Sequence, residues 1–139
     1  MYKVESEFSF DSAHFLKDHP GKCRYIHGHR WRVLVELKSR NLEDGMVVDF
    51  SDLKQTLKVL EEEFDHTLII ENGSVSLDLS VAMLGEGFRM KEVEFRPTAE
   101  NMASYFYYRI MKSLFGTPIK MSKVTVYETP NNKASYEED

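Results

Sequence analysis

Apolar and polar residues alternate with a period of two along two long stretches of this chain, and with a helical period along two others. Phe8, Phe10, Ser12 and His14 fall on one side of the first stretch and Ser9 and Asp11 on the other, which predicts a strand over residues 2–15. The segment from Lys17 to Lys22 (KDHPGK) is a loop by composition. From His27 to Lys38 the odd positions His27, His29, Trp31, Val33, Val35 and Leu37 share one side. A second strand is predicted there, with a face that is apolar apart from two histidines at its start.

A short apolar piece, residues 46–50, leads into a helix with Ser51 as its N-cap and Leu53, Leu57, Leu60 and Phe64 as its buried stripe. Asp65 and His66 lie where that helix ends. Residues 71–91 show neither period and are read as an irregular excursion, ending in a short strand from Glu92 to Arg96. Thr98 caps a second helix after Pro97, with Ala99, Met102, Ala103, Phe106, Ile110 and Leu114 as its stripe. The last long strand, Met121 to Glu128, puts Val124, Val126 and Glu128 on one side, and residues 133–136 form a short edge strand. The order strand, strand, helix, helix, strand, strand predicts an α+β protein: a four-stranded antiparallel sheet with both helices on one face.

At 139 residues the chain is expected to be one domain spanning 1–139, and 42% apolar residues suffice for a core. The net charge is −5, and the last three residues, Glu137, Glu138 and Asp139, are all acidic. No basic face is visible, so nucleic acid is not expected as a partner. The single cysteine, Cys23, forbids an intrachain disulfide. Glu5 and Glu7 interrupt the first ten residues, so no secretory signal is read there. No apolar run approaches the roughly 18–20 residues of a membrane span. The expectation is a soluble cytoplasmic protein with a reduced thiol.

His27 and His29 stand two apart on a strand, with Cα atoms about 6.5–7 Å apart on one face. Imidazoles at that spacing can converge on one ion. For an isolated His-x-His, two core residues are the commoner explanation. A third imidazole changes the balance: His14 ends the preceding strand on its apolar face, where it folds back beside His27. Three neutral histidines match an open zinc site. Cys23, four residues before His27 and flanked by Lys22 and Arg24, has surroundings that favour a thiolate. It fits a base or nucleophile beside the metal, a fourth zinc ligand, or a small buried side chain. Asp65 and His66 could act as a carboxylate–imidazole pair, although both are ordinary at a helix end. Glu128 puts a carboxylate on an otherwise apolar side, which calls for a partner such as the N–H groups of a ligand, or for exposure at the strand end. His19 is read as a plain loop residue.

With these residues in hand, the chain resembles the 6-pyruvoyltetrahydropterin synthase / 6-carboxytetrahydropterin synthase family. The matching text is FSFDSAH from Phe8 to His14, CRYIHGH from Cys23 to His29, VDF from Val48, FDH from Phe64, PTAEN from Pro97 and VYET from Val126. The resemblance implies the tunnelling fold, in which subunits join their sheets into a barrel, a homohexamer built as a dimer of trimers, and active sites at subunit interfaces. It implies zinc on His14, His27 and His29, Cys23 as the proton-abstracting base, His66 with Asp65 for proton transfer, and Glu128 on the pyrimidine edge of the pterin. Glu100 and Thr98 are implied as pocket residues. The implied substrate is 7,8-dihydroneopterin triphosphate. The three-residue gap between Cys23 and His27 resembles the bacterial 6-carboxy enzymes of queuosine-type deazapurine synthesis, which release triphosphate and acetaldehyde. The alternatives are a 6-pyruvoyl enzyme, which only eliminates triphosphate, and a pterin- or zinc-binding module without turnover. The segment between His66 and Pro97 is longer than in compact bacterial members.

Overall fold

The computed structural model describes residues 1–139. The two long alternating stretches form β1 (Tyr2–His14) and β2 (His27–Ser39). They pair antiparallel in a register that sets Phe10 opposite Trp31, Ser12 opposite His29 and His14 opposite His27. The fold continues through α1 (Phe50–Phe64), β3 (Thr67–Glu71), α2 (Leu77–Gly85), β4 (Met90–Val93), α3 (Ala99–Ser113), β5 (Lys120–Tyr127) and β6 (Lys133–Tyr136). The architecture is α+β, as the pattern predicts.

The sheet is larger than expected and mixed. Its six strands run in the order β4-β3-β1-β2-β5-β6. β3 pairs parallel to β1 over Ser12 to His14 only, and β4 pairs parallel to β3. The four-stranded antiparallel sheet with two helices is therefore corrected to six strands and three helices. Residues 71–95 are not an irregular excursion: they hold α2 and β4, and the expected strand 92–96 is Met90–Val93. The reason lies in burial. A short parallel strand buried on both sides, with Ile69 and Ile70 both inaccessible, shows an apolar run and no alternation. The sequence of α2, LDLSVAMLG, is apolar nearly all round and so carries no stripe.

The core forms where α1 and α3 cover one face of the sheet. Phe8, Phe10, Trp31, Val33, Val35, Val124 and Val126 from the strands meet Leu53, Leu57, Leu60, Phe64, Met102, Phe106 and Ile110 from the helices. These are the stripes the sequence predicts. The N-cap of α1 is Asp49, not Ser51: the Asp49 carboxylate accepts from the Ser51 N–H at 2.8 Å and from the Ser51 hydroxyl at 2.6 Å. Thr98 caps α3 by accepting from the Asn101 N–H at 3.2 Å. The opposite face of β1 and β2 is polar, with Arg32 on Glu7 at 2.9 Å and Arg30 on Asp11 at 3.1 Å. No helix is long and apolar enough to cross a membrane.

Candidate metal centre and active site

The antiparallel register of β1 and β2 brings three imidazoles to one end of the core face. The ring centroids of His14, His27 and His29 lie 4.6–5.1 Å from one another. Trp31, next on the same face after His29, packs edge-on against His14 at 4.9 Å and His29 at 5.5 Å and forms the apolar floor. Glu128 follows β5 on the face of Val124 and Val126, which brings its carboxylate to the same place. Its Oε1 lies 3.2 Å from His14 Nε2 and 3.5 Å from His29 Nε2. One donor atom from each of these four residues lies within 4.8 Å of all the others.

Main-chain carbonyls set the chemistry of two rings. His14 Nδ1 donates to the Pro97 carbonyl at 2.8 Å, and His27 Nδ1 donates to the Tyr25 carbonyl at 2.6 Å. Each neutral ring then presents a bare lone pair on Nε2, and these two atoms stand 3.1 Å apart. Two acceptors cannot hydrogen-bond to each other. His29 Nε2 is buried and has no hydrogen-bond partner at all. Burial pushes the His29 pKa down, towards the neutral form that ligates metals. A proton on His14 Nε2 would donate to Glu128 and hold that carboxyl below the usual carboxylate range; a cation bound among these atoms takes the place of that proton. Three imidazole nitrogens and a carboxylate oxygen converging without a donor are satisfied by a cation, so these residues fit a metal ion.

Cys23 is half-buried on the short 3-10 turn Lys22–Arg24 and is not among the four converging residues. Its carbonyl accepts from the Leu16 N–H at 2.8 Å, which closes the neck of the loop leading into β2. Asp65 and His66 do form a pair, with His66 Nδ1 2.8 Å from Asp65 Oδ2. The second carboxylate oxygen of Asp65 accepts from the Asp11 N–H at 2.9 Å, and this contact leads in holding its carboxyl below the usual range. His66 takes a left-handed backbone conformation, φ 58°, and its N–H bonds the Asp11 carbonyl. Because Thr67 pairs with Ser12, His66 stands at the register of Asp11, on the face opposite the imidazole cluster. It shares an open cleft there with Asp11, Ala13, Gly28, His29 and Arg30, although the His29 ring turns to the other face with His27 and Trp31. Neither Asp65 nor His66 hydrogen-bonds to His14, His27, His29 or Glu128 within one chain.

The Thr98 hydroxyl is committed to capping α3, and Glu100 is exposed in the first turn of that helix. What sequence reasoning missed is the orienting role of the Pro97 and Tyr25 carbonyls, which no side-chain pattern can signal. Trp31 was readable as the third member of the odd-numbered series His27, His29, Trp31.

Fold and site together define an α+β sheet protein with a strand-borne imidazole cluster able to hold a metal. The sequence pattern of the family described as 6-pyruvoyl tetrahydropterin synthase matches residues 3–139, and the chain belongs to that family. It is 34% identical to a 6-carboxy-5,6,7,8-tetrahydropterin synthase of Haemophilus influenzae, over 99% of this chain and 100% of that one. It is 38% identical to the protein of the same name from Aquifex aeolicus, over 91% of this chain and 83% of that one. A crystal structure of an uncharacterised protein from Wolinella succinogenes superposes with a TM-score of 0.86 at 25% identity, covering 99% of this chain and 98% of the other.

Proposed function

We propose that the chain is a zinc-dependent carbon–carbon lyase that converts 7,8-dihydroneopterin triphosphate, with water, into 6-carboxy-5,6,7,8-tetrahydropterin, releasing triphosphate and acetaldehyde. The observation that carries this reading is the donor-free convergence of His14, His27 and His29, in a chain that matches a 6-carboxy-5,6,7,8-tetrahydropterin synthase along its whole length. Zinc held on the three Nε2 atoms would supply Lewis-acid polarisation of the substrate side chain. Cys23, on the turn that enters β2, takes the proton from the side-chain carbon. The released electron pair forms a carbon–carbon double bond as the bond to the triphosphate oxygen breaks. Asp65 holds the His66 ring through Nδ1, leaving Nε2 to move protons in the following tautomerisation. Glu128 takes the paired N–H groups of the pterin ring, a bidentate match of carboxylate to amidine-like donors. In that role it turns from the imidazoles when substrate enters. Glu100 and Thr98 line the pterin pocket, Thr98 through groups other than its capping oxygen.

The working form we propose is a homohexamer, a dimer of trimers, built from this one pterin-synthase domain, with sheets joined into a barrel. Two features support it. The edge of β1 before Ser12 has no strand beside it, because β3 pairs only from Ser12 to His14. The Asp65–His66 pair lies on the wrong face to serve the cluster of its own chain, so it serves a neighbour's.

Incubation with 7,8-dihydroneopterin triphosphate tests the reaction: acetaldehyde and the 6-carboxy product are expected. A 6-pyruvoyl product without acetaldehyde would move the chain to the other branch, whose name the family description carries. Cys23→Ala is expected to lose about 10²–10⁴-fold in turnover while retaining its zinc. Retained turnover in that variant would remove the thiol from the mechanism. Mixing Cys23→Ala with His66→Ala subunits is expected to restore about a quarter of wild-type activity, as random pairing across a shared interface requires. Sites contained within one subunit would show no restoration.

A further inference from the structure

Three residues other than glycine have a left-handed backbone, Asp18, Asp44 and His66, and of these only His66 (φ 58°) belongs to the proposed catalytic machinery. A residue with a side chain takes that conformation at a cost and keeps it only where its surroundings over-determine it. Around His66 those surroundings include two buried hydroxyls. The Phe64 carbonyl lies in the last turn of α1, where carbonyls lack a partner within the helix. It accepts instead from the Ser12 hydroxyl of β1 and from the Thr67 hydroxyl of β3, the latter at 2.6 Å. Ser12 and Thr67 are each 6% exposed and stand opposite one another where β3 begins to pair with β1, with their hydroxyl oxygens 3.3 Å apart. Each hydroxyl has one proton, so both donors are spent on one carbonyl oxygen and fill its two lone pairs.

We propose that Ser12 and Thr67 are positioning residues of the reaction: their hydroxyls, converging on the Phe64 carbonyl, hold His66 in its left-handed turn and so aim its ring. The proposal rests on the lyase reading given above and on the proton-transfer role of the Asp65–His66 pair within it. The bond from Thr67 back to Phe64 closes a ring of chain with Asp65 and His66 between its ends. Ser12 ties that ring to β1, two residues before His14. The Asp11 main chain completes the attachment, donating to Asp65 at 2.9 Å and accepting from the His66 N–H at 2.7 Å. Neither hydroxyl hydrogen-bonds to a candidate metal ligand, so the effect of both passes through the turn. The Asp65 carboxylate grips the His66 ring at Nδ1, but that bond moves with the turn that carries both partners. A pair that serves a neighbouring subunit also takes no alignment from the metal centre of its own chain. Its aim is therefore built into its own backbone, and a displacement of about 1 Å in such a group costs on the order of 10²-fold in rate.

Ser12→Ala, Thr67→Val and the double variant, each loaded with zinc, test the clamp; Thr67→Val keeps the branched shape and deletes the donor. Each single variant retains one donor and is expected to lose about 5-fold in kcat, and the double variant about 100-fold, with KM unchanged. Thr67→Ser, which keeps the hydroxyl, is expected to recover most of the turnover. In a His66→Ala background the same changes are expected to cost no further turnover, because they act through that ring alone. Equal losses in both backgrounds would overturn the proposal, since a merely structural role predicts them. Should the double variant not fold, the single variants in the two backgrounds carry the same comparison. A readout independent of activity is hydrogen exchange at the His66 amide, which is expected to quicken about 10-fold or more when the hydroxyls are removed. Unchanged protection of that amide would also overturn the proposal. Should the amide lose protection as expected while wild type makes no product from the pterin triphosphate, the clamp on the turn stands and the lyase reading falls.

Discussion

Among single residues, His29 is the most exposing test of the metal centre, because its Nε2 has no other duty. His29→Ala is expected to weaken zinc binding by more than about 100-fold, a loss larger than that usually caused by removing an outer-sphere partner. Competition against a chromophoric chelator measures it, and wild-type affinity in the variant would show that the ring is not a ligand. His27 and His29 were legible as a pair because a strand alternates strictly, and His14 because it ends the neighbouring strand on the same side. The position of the Glu128 carboxylate beside His14 and His29 was not legible. Sequence fixes which face a side chain takes and says nothing of how far along that face two strands bring their ends. Cys23 shows the complementary limit: its turn has no period, so spacing alone left its role open.

Elements differ in how openly the sequence declares them. The stripe of α1 and the alternation of β1 and β2 follow from one buried side and one solvated side. β3 and α2 escaped because an element apolar on nearly every side has no period to read, and the four residues of β4, Met90–Val93, are too few to show one. The N-cap of α1 was displaced by two residues because Asp49 and Ser51 are both good caps; the charged one accepts two bonds from the other. Asp49→Ala is expected to lower stability by about 1 kcal/mol, and Ser51→Ala by less. Urea unfolding of the two variants ranks them, and the reverse order would refute the assignment. α1 and α3 are clasped by Arg109, which donates to both oxygens of Glu63 at 2.7 and 2.8 Å. That clasp holds the Glu63 carboxyl below its ordinary range. A depressed carboxyl stabilises the fold above the unfolded pKa of about 4.3 and ceases to do so as pH falls through the folded value. Glu63→Gln is therefore expected to cost about 1–2 kcal/mol at pH 7 and almost nothing near pH 3. Equal differences at both pH values would show that packing, not charge, holds the helices.

For the whole molecule, metal and fold are linked through the two strands that carry the imidazoles. Zinc at 100 times its Kd is expected to add about 2.7 kcal/mol, which for a chain of this length raises Tm by about 10 °C. Calorimetric scans before and after chelation read the shift, and an unchanged Tm would uncouple the site from the fold. β1 is unpaired on one side over its first ten residues and reaches the metal end at His14, so one element carries both an open edge and a candidate ligand.

The Pro97 and Tyr25 carbonyls that aim His14 and His27 belong to the peptide backbone, not to any side chain. No exchange of side chain at either position deletes the acceptor. Codons 25 and 97 can therefore drift while the aim of both rings is inherited with the path of the chain, and genetic damage to that aim has to arrive as a deformation of the main chain.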